Sequence, residues 1–322
     1  MTSQTRSFAS YNKDETIRAM SSSGGVFYVF AQKILSEGGI VFGAAFDNEW
    51  QVHHEICSNI QDLQRIMQSK YVQSSLGDTY TNVREALISG KKVLFCGTPC
   101  QVAGLISFLR STVKGNEWKK LLLTIDFICH GVPSRMVWRR YLKEVSKDKK
   151  ITSINFRDKT NGWRNFGLRI DFDNGDSYLQ SQHKDPYMRG FLKNLYLRES
   201  CYECKFRGVE RQSDFTIADF WGVHTLLPDF FDDKGTSIVL AHNDRAIRIL
   251  EEASDIVNIC EIQNDVVVQT NSPVVKSVSR NTKRDNFFAH YGGKTISEYI
   301  VRNLHQSLLT RIKRKIFKTL HF

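Results

Sequence analysis

The chain has 322 residues, 41% hydrophobic and 25% charged, with a net charge of +11 and seven cysteines. No apolar run nears the ~20 residues of a membrane span, and the opening MTSQTRSFASYNKDE carries no apolar signal core. A cytoplasmic protein with reduced thiols is expected, and although its basic surface suits anionic partners, no nucleic-acid-binding signature accompanies it, so nucleic acid is set aside.

In chain order, SSSGGVFYVFAQKILSEGG reads as a helix opened by serine caps and closed at Gly38 and Gly39. GIVFGAAF and VHHEICS read as strands, and GDTYTNVREALISG as a helix stopped by Gly90. KKVLFC is a short buried strand, TPCQVAGLISFLR a helix and LLLTIDFIC another strand. This alternation predicts an α/β fold with a largely parallel or mixed sheet flanked by helices. From about residue 151 the texture becomes α+β. SINFRD and FGLRIDFDNGDSYLQ alternate, with a hairpin turn at Asn174–Gly175, and YMRGFLKNLYL reads as a helix. SDFTIADFWG and SIVLAH read as strands and NDRAIRILEEAS as a helix. The tail repeats Ile296, Ile300, Leu304, Leu308, Ile312 and Ile316 beside five basic residues, a basic amphipathic helix suited to packing on the body, docking a partner or lying on an anionic membrane. The chain divides into an N-terminal segment (1–20), an α/β core (21–145), an α+β segment (146–240) and a helical C-terminal region (241–322).

The cysteines carry the chemistry. ESCYECKF holds the single Cys-x-x-Cys pair, Cys201 and Cys204, and two further sulfurs are needed to complete a four-thiolate site. KKVLFC runs into GTPC and LLLTIDFIC into HGVPS, so parallel strands would bring Cys100 and Cys129 to one sheet edge, where α/β sheets bind ligands. In GTPCQ, Thr98 suits the N-cap and Pro99 the first helical position, leaving Cys100 in a first turn that favours thiolate. Cys100, Cys129, Cys201 and Cys204 are thus expected around one centre, either structural zinc or a 4Fe–4S cluster. The plainer alternative is that they are separate buried thiols, the reading that suits Cys57 and Cys260. SSSGG offers free N–H groups for a phosphate or simply a helix cap. His130, next to Cys129, is a structural or substrate-facing histidine rather than the base of a thiol nucleophile.

Taken together, SSSGGVF, GGIVFGAAFD, SKYVQSSLGDTY, VLFCGTPCQVAGL, DFICHGVPS, NFRDK, KDPYMRGFL, SCYECKF and RQSDFTIADFWG resemble, in order, the coenzyme F420 hydrogenase/dehydrogenase beta-subunit family. The resemblance implies an iron–sulfur flavoprotein oxidoreductase with FAD in the α/β body. The cysteines of its motifs match Cys100, Cys129, Cys201 and Cys204 as ligands of a 4Fe–4S cluster. Ser22, Ser23, Gly24 and Gly25 are implied at the FAD pyrophosphate, and Lys70, Tyr71, Gln73 and Ser74 near the flavin. Thr98, Gln101 and His130 are implied between cluster and ring, making His130 and Lys70 the catalytic candidates. Asp214, Asp219 and Trp221 either shape the site or close the fold.

Many members of that family carry an N-terminal ferredoxin module with closely spaced cysteines, and no such run occurs here. Electrons are then expected from a separate ferredoxin-like carrier or partner subunit. The substrate is a deazaflavin (coenzyme F420) or another small organic molecule, since members also act on a chlorophyll-like pigment and on unassigned targets in cell-surface polysaccharide gene neighbourhoods. Two other classes compete: a zinc-stabilised transferase without redox chemistry, and an adaptor subunit docked through its C-terminal helix.

Overall fold

Strands covered on both faces are mostly apolar, as VLFC and LLTIDF at the centre of the chain's main sheet are, with the buried Thr124 and Asp126 hydrogen-bonded to Asp214 and Thr216. The structure, a computed structural model, describes residues 5–291 and 295–304. Its strands are β1 (Arg6–Asn12), β2 (Ile40–Phe46), β3 (Val52–Cys57), β4 (Val93–Cys96), β5 (Leu122–Phe127), β6 (Ile151–Asp158), β7 (Gly167–Phe172), β8 (Ser177–Ser181), β9 (Phe215–Asp219), β10 (Ser237–Ala241) and β11 (Val257–Ile262). Among the described residues, eight of them form one sheet in the order β11-β1-β10-β9-β5-β4-β2-β3, and β6-β7-β8 form a small antiparallel sheet. Strands β2, β4, β5 and β9 run parallel, while β3 and the β10-β1-β11 flank are antiparallel. The expected α/β class with a mixed sheet is the one observed.

Helices cover both faces. Helix Val26–Ser36 buries Val26, Phe30 and Ile34 against Val41, Leu94, Ile125 and Phe215, with Phe30 stacked on Phe215 at 4.2 Å. Helices Thr79–Ile88 and Pro99–Thr112 cover Phe42, Val93 and Phe95 on the opposite face. A second core gathers helices Arg135–Ser146 and Pro186–Leu192 on the small sheet around Trp138, Tyr141, Phe156, Tyr187 and Tyr196. Helix Ile296–Leu304 buries Ile296 and Ile300 in that core, so the described start of the amphipathic tail packs on the body. The expected basic continuation after Leu304 lies outside the described residues. No helix among the described residues is long and apolar enough to cross a membrane.

One expectation is overturned at residues 21–25. The helix opens at Val26 behind Gly25, whose φ is +81°, and the serines belong to the loop before it. Their hydroxyls serve more distant partners: Ser21 Oγ donates to Ile17 O (2.8 Å), Ser23 Oγ donates to Thr236 O (2.9 Å) and Ser22 Oγ accepts from Ser69 N (2.7 Å). A hydroxyl engaged in this way does not cap a helix. The hairpin at Asn174–Gly175 forms as predicted, with Gly175 at φ +84° joining β7 to β8.

Candidate functional site

Because β2, β4, β5 and β9 are parallel, their carboxyl ends share one edge, where Phe46, Cys96, Phe127 and Asp219 close the strands. Open α/β sheets place ligands at this edge, since the loops leaving it diverge while the strand ends stay rigid. Just beyond β4, Gln101 Oε1 reaches back to Thr98 N at 2.9 Å, so Thr98 and Gln101 brace the start of helix Pro99–Thr112. Thr98 Oγ1 lies 3.1 Å from Cys100 Sγ, and Cys100 is exposed. Beyond β5 come Cys129 and His130.

Cys201 and Cys204 arrive from the far side of the second core. Helix Pro186–Leu192 ends, Asn194 turns the chain at φ +58°, and Cys201 closes a short turn at Glu199–Cys201. Gly131 lets this turn come close: a Cβ there would meet Leu197 Cδ1 at 2.9 Å and Cys201 Cβ at 3.4 Å. Cys129 lies within electrostatic reach of Cys201 and Cys100, and Cys201 within reach of Cys100 and Cys204. The three cysteine segments therefore converge on one region. Burial pushes the Cys129 thiol up to about 12, with the thiols of Cys201 and Cys100 adding to the rise and Arg207 opposing it. Among the described residues, no three His, Cys, Asp or Glu side chains are close enough to clasp a single metal ion. Cys57 is buried at the end of β3 and Cys260 is partly buried on β11, both apart from this group.

At the end of β9 on the same edge, Arg157 draws three loops together. It forms a two-pronged pair with Asp219 (2.9 and 2.8 Å), donates to Ser22 O (3.2 Å) and to Tyr71 Oη (3.3 Å), and lies 3.8 Å from the centre of the Phe166 ring. Trp163 Nε1 adds a bond to Asp219 Oδ1 (3.1 Å) and its ring stacks on Trp221 at 5.0 Å. Arg157, at the end of β6, and Trp163 were not singled out by sequence reasoning. The signal available was NFRDK, with Gly162 and Trp163 just beyond it, but neither carries a motif that announces a role. Asp219 and Trp221 thus do structural work at the edge itself.

Other predicted residues are placed as follows. Gly24 is required by close packing, since a Cβ would stand 2.5 Å from Ser10 O and 2.9 Å from Ser237 N. Gln73 O accepts from Arg135 Nε (3.0 Å), and Ser74 Oγ is 2.7 Å from His54 Nδ1. His130 Nε2 pairs with Asn194 Oδ1 at 2.7 Å, and burial holds its imidazole below the ordinary histidine range. Asp214 ties β5 to β9, accepting from Thr124 N (2.8 Å) and from Arg245 Nη2 (2.7 Å). An open cavity of about 970 Å³ lies next to Lys70, lined among others by Phe46, Trp50, Gln68, Lys150 and Ser153. Trp50 and Gln68 hold left-handed backbone there, at φ +59° and +66°, a conformation non-glycine residues adopt only where their surroundings impose it.

Lys70 Nζ is turned inward, donating to Met67 O at 2.6 Å, and burial pushes it from 10.5 down to about 7 despite the nearby Cys96 and Glu55. Between those two pH values the unfolded chain holds a proton on Lys70 that the folded chain has released, so this residue makes stability rise with pH across the window. Below it, the buried charge opposes folding in full. Lys70→Met is therefore expected to stabilise the cofactor-free chain most below about pH 7, with the gain shrinking towards pH 10.5. Urea midpoints of both proteins across this range check the sign, and a difference independent of pH would put Nζ in water.

A family model for the C terminus of the coenzyme F420 hydrogenase/dehydrogenase beta chain matches residues 90–265. No curated protein matches the chain in sequence. Among solved structures, a chain from the F420-reducing NiFe hydrogenase complex of Methanosarcina barkeri, studied by xenon derivatization, is similar with a TM-score of 0.58 and 14% identity, covering 84% of this chain and 88% of that one. At that identity the likeness concerns the fold.

Proposed function

The chain belongs to the coenzyme F420 hydrogenase/dehydrogenase beta-subunit family, and on that premise we propose that it is an iron–sulfur flavoprotein oxidoreductase. In this reading it passes electrons between a ferredoxin-type carrier or partner subunit and a deazaflavin or other small organic substrate. The observation that carries it is the convergence of Cys100, Cys129, Cys201 and Cys204 from three separate segments at the carboxyl edge of the parallel strands. A 4Fe–4S core is larger than a single zinc ion and tolerates ligands dispersed along the chain, which suits one Cys-x-x-Cys pair joined by two distant cysteines.

FAD together with a 4Fe–4S cluster would supply the exchange between paired and single electrons. The chain's own residues have narrower tasks. The four cysteines would hold the cluster, Cys100 being exposed and Cys129 partly buried. Arg157 keeps the Ser22 and Tyr71 loops against Asp219, and those loops would hold the flavin. Lys70, which burial strips of its proton easily, would regain an ammonium beside an anionic group. His130, held by Asn194 and kept neutral by burial, would stand next to the cluster ligand Cys129. Phe206 and Val275, 42% and 38% exposed, sit beside the cysteine segment where a carrier would dock.

Iron and flavin quantitation with a visible spectrum of anaerobically purified protein tests the reading. Bound FAD and about four irons per chain are expected. Protein that stays colourless after iron reconstitution and FAD incubation, or that holds one zinc instead, would refute it.

A further inference from the structure

The cations near this sheet edge mostly face carboxylates. Arg157 pairs with Asp219, Arg18 with Asp232 (2.5 Å), Arg284 with Glu199 (2.6 Å), and Arg211 stands 3.7 Å from Asp126. Arg207 differs. Its Nη1 donates to Cys129 O and to Pro273 O, its Nη2 lies 3.4 Å from His130 O, and its Nε is buried with no partner. Carbonyl oxygens are the only acceptors found for it among the described residues. A guanidinium does not shed its proton in a protein, so a fixed positive charge is held against the backbone of a cysteine expected to bind the cluster.

Such an arrangement is costly unless something anionic lies nearby, because carbonyl dipoles offset only part of a desolvated charge. The group that faces Arg207 across this backbone is the cysteine set itself, with Cys129 within its electrostatic reach. Arg198 is the other cation in reach of that set, through Cys201, but it is exposed and screened. Four thiolates on a 4Fe–4S core carry net negative charge, and one more electron deepens it.

We propose that Arg207 is a positioning residue that sets the reduction potential of the cluster: its charge favours the added electron while its fork ties the Cys129–His130 turn to Pro273. The assignment rests on the iron–sulfur reading above. A merely structural clamp predicts something different, since loosening the turn changes how well iron is retained and leaves the midpoint of the loaded cluster where it was.

The test uses the full chain, anaerobically loaded, with iron counted first and the midpoint then measured by electron paramagnetic resonance during a redox titration. Arg207→Gln keeps hydrogen-bonding capacity and loses charge. It is expected to lower the ratio of reduced to oxidised cluster at least tenfold at a fixed ambient potential, equivalent to about 59 mV for one electron. Arg207→Lys keeps the charge and is expected to stay within about threefold of wild type, or about 30 mV on the same scale. A glutamine variant that loads fully and titrates like wild type overturns the assignment alone. Should that variant fail to load, Arg207→Met, which also removes the charge, decides: a tenfold fall supports the assignment, and a wild-type midpoint overturns it. Wild-type protein without iron overturns the functional reading and this assignment with it.

Discussion

The double variant Cys129→Ala/Cys201→Ala is expected to purify with less than about one iron per chain, against about four for wild type. Cys201 stands within reach of the other three and Cys129 within reach of Cys100 and Cys201, so the loss of both leaves only Cys100 and Cys204. Two thiolates from distant segments cannot retain a core that four were needed to hold. The matched control, Cys57→Ala/Cys260→Ala, removes a buried thiol and a partly buried one outside the set and is expected to keep its iron and visible absorbance. Equal iron in the two double variants would break the link between these four cysteines and a shared centre. Stability is expected to follow iron, because binding energy at such a site is also folding energy.

The second large effect concerns the pair that closes the edge. Asp219→Ala is expected to destabilise the chain by about 3–5 kcal/mol, the usual cost of leaving one member of a buried pair uncompensated. The Arg157 side chain is 1% exposed and that of Asp219 19%, so solvent cannot take over the lost partner. The same carboxylate also accepts the Trp163 indole N–H, which would be orphaned together with the guanidinium. Replacing both members, as Arg157→Met/Asp219→Leu, is expected to recover most of the loss, since an apolar pair leaves no buried charge behind. Urea denaturation of the four proteins, read as the shift in midpoint at constant slope, measures the cycle. A single-variant cost below about 1 kcal/mol would show that the pair behaves as an exposed one. Because Arg157 also holds Ser22 O and Tyr71 Oη, flavin content is expected to fall further in Asp219→Ala than stability alone would dictate.

Asp126 shows how differently a buried acid can be placed at the same edge. Thr216 Oγ1 (2.5 Å) and Ser213 Oγ (3.0 Å) donate to it, Arg211 approaches to 3.7 Å, and still burial pushes it up to about 6. Asp219, with a two-pronged guanidinium, gains full hydrogen bonding from its partner. Geometry rather than residue type separates the two carboxylates.

Much of this was legible along the chain. The alternation of strand and helix patterns around KKVLFC and LLLTIDFIC predicted a largely parallel or mixed sheet, and these two segments are parallel neighbours in it. Parallel strands end at one edge, which sufficed to bring Cys100 and Cys129 together, and Thr98 with Pro99 marked the helix start that Gln101 braces in the structure. Capping, alternation and turn chemistry act over a few residues and leave their mark in order. The serines of SSSGG were misread as a cap for the same reason: their partners, Ser69 and Thr236, lie 47 and 213 residues away. The bond of Arg157 to Asp219, the carbonyl cradle of Arg207 and the proton lost from Lys70 depend on which loops meet and how much water they exclude. Neighbours in sequence determined the elements and the edge they point to; desolvation and long-range contact, which exist only once the chain is folded, decided which charges at that edge are paired and which stand alone.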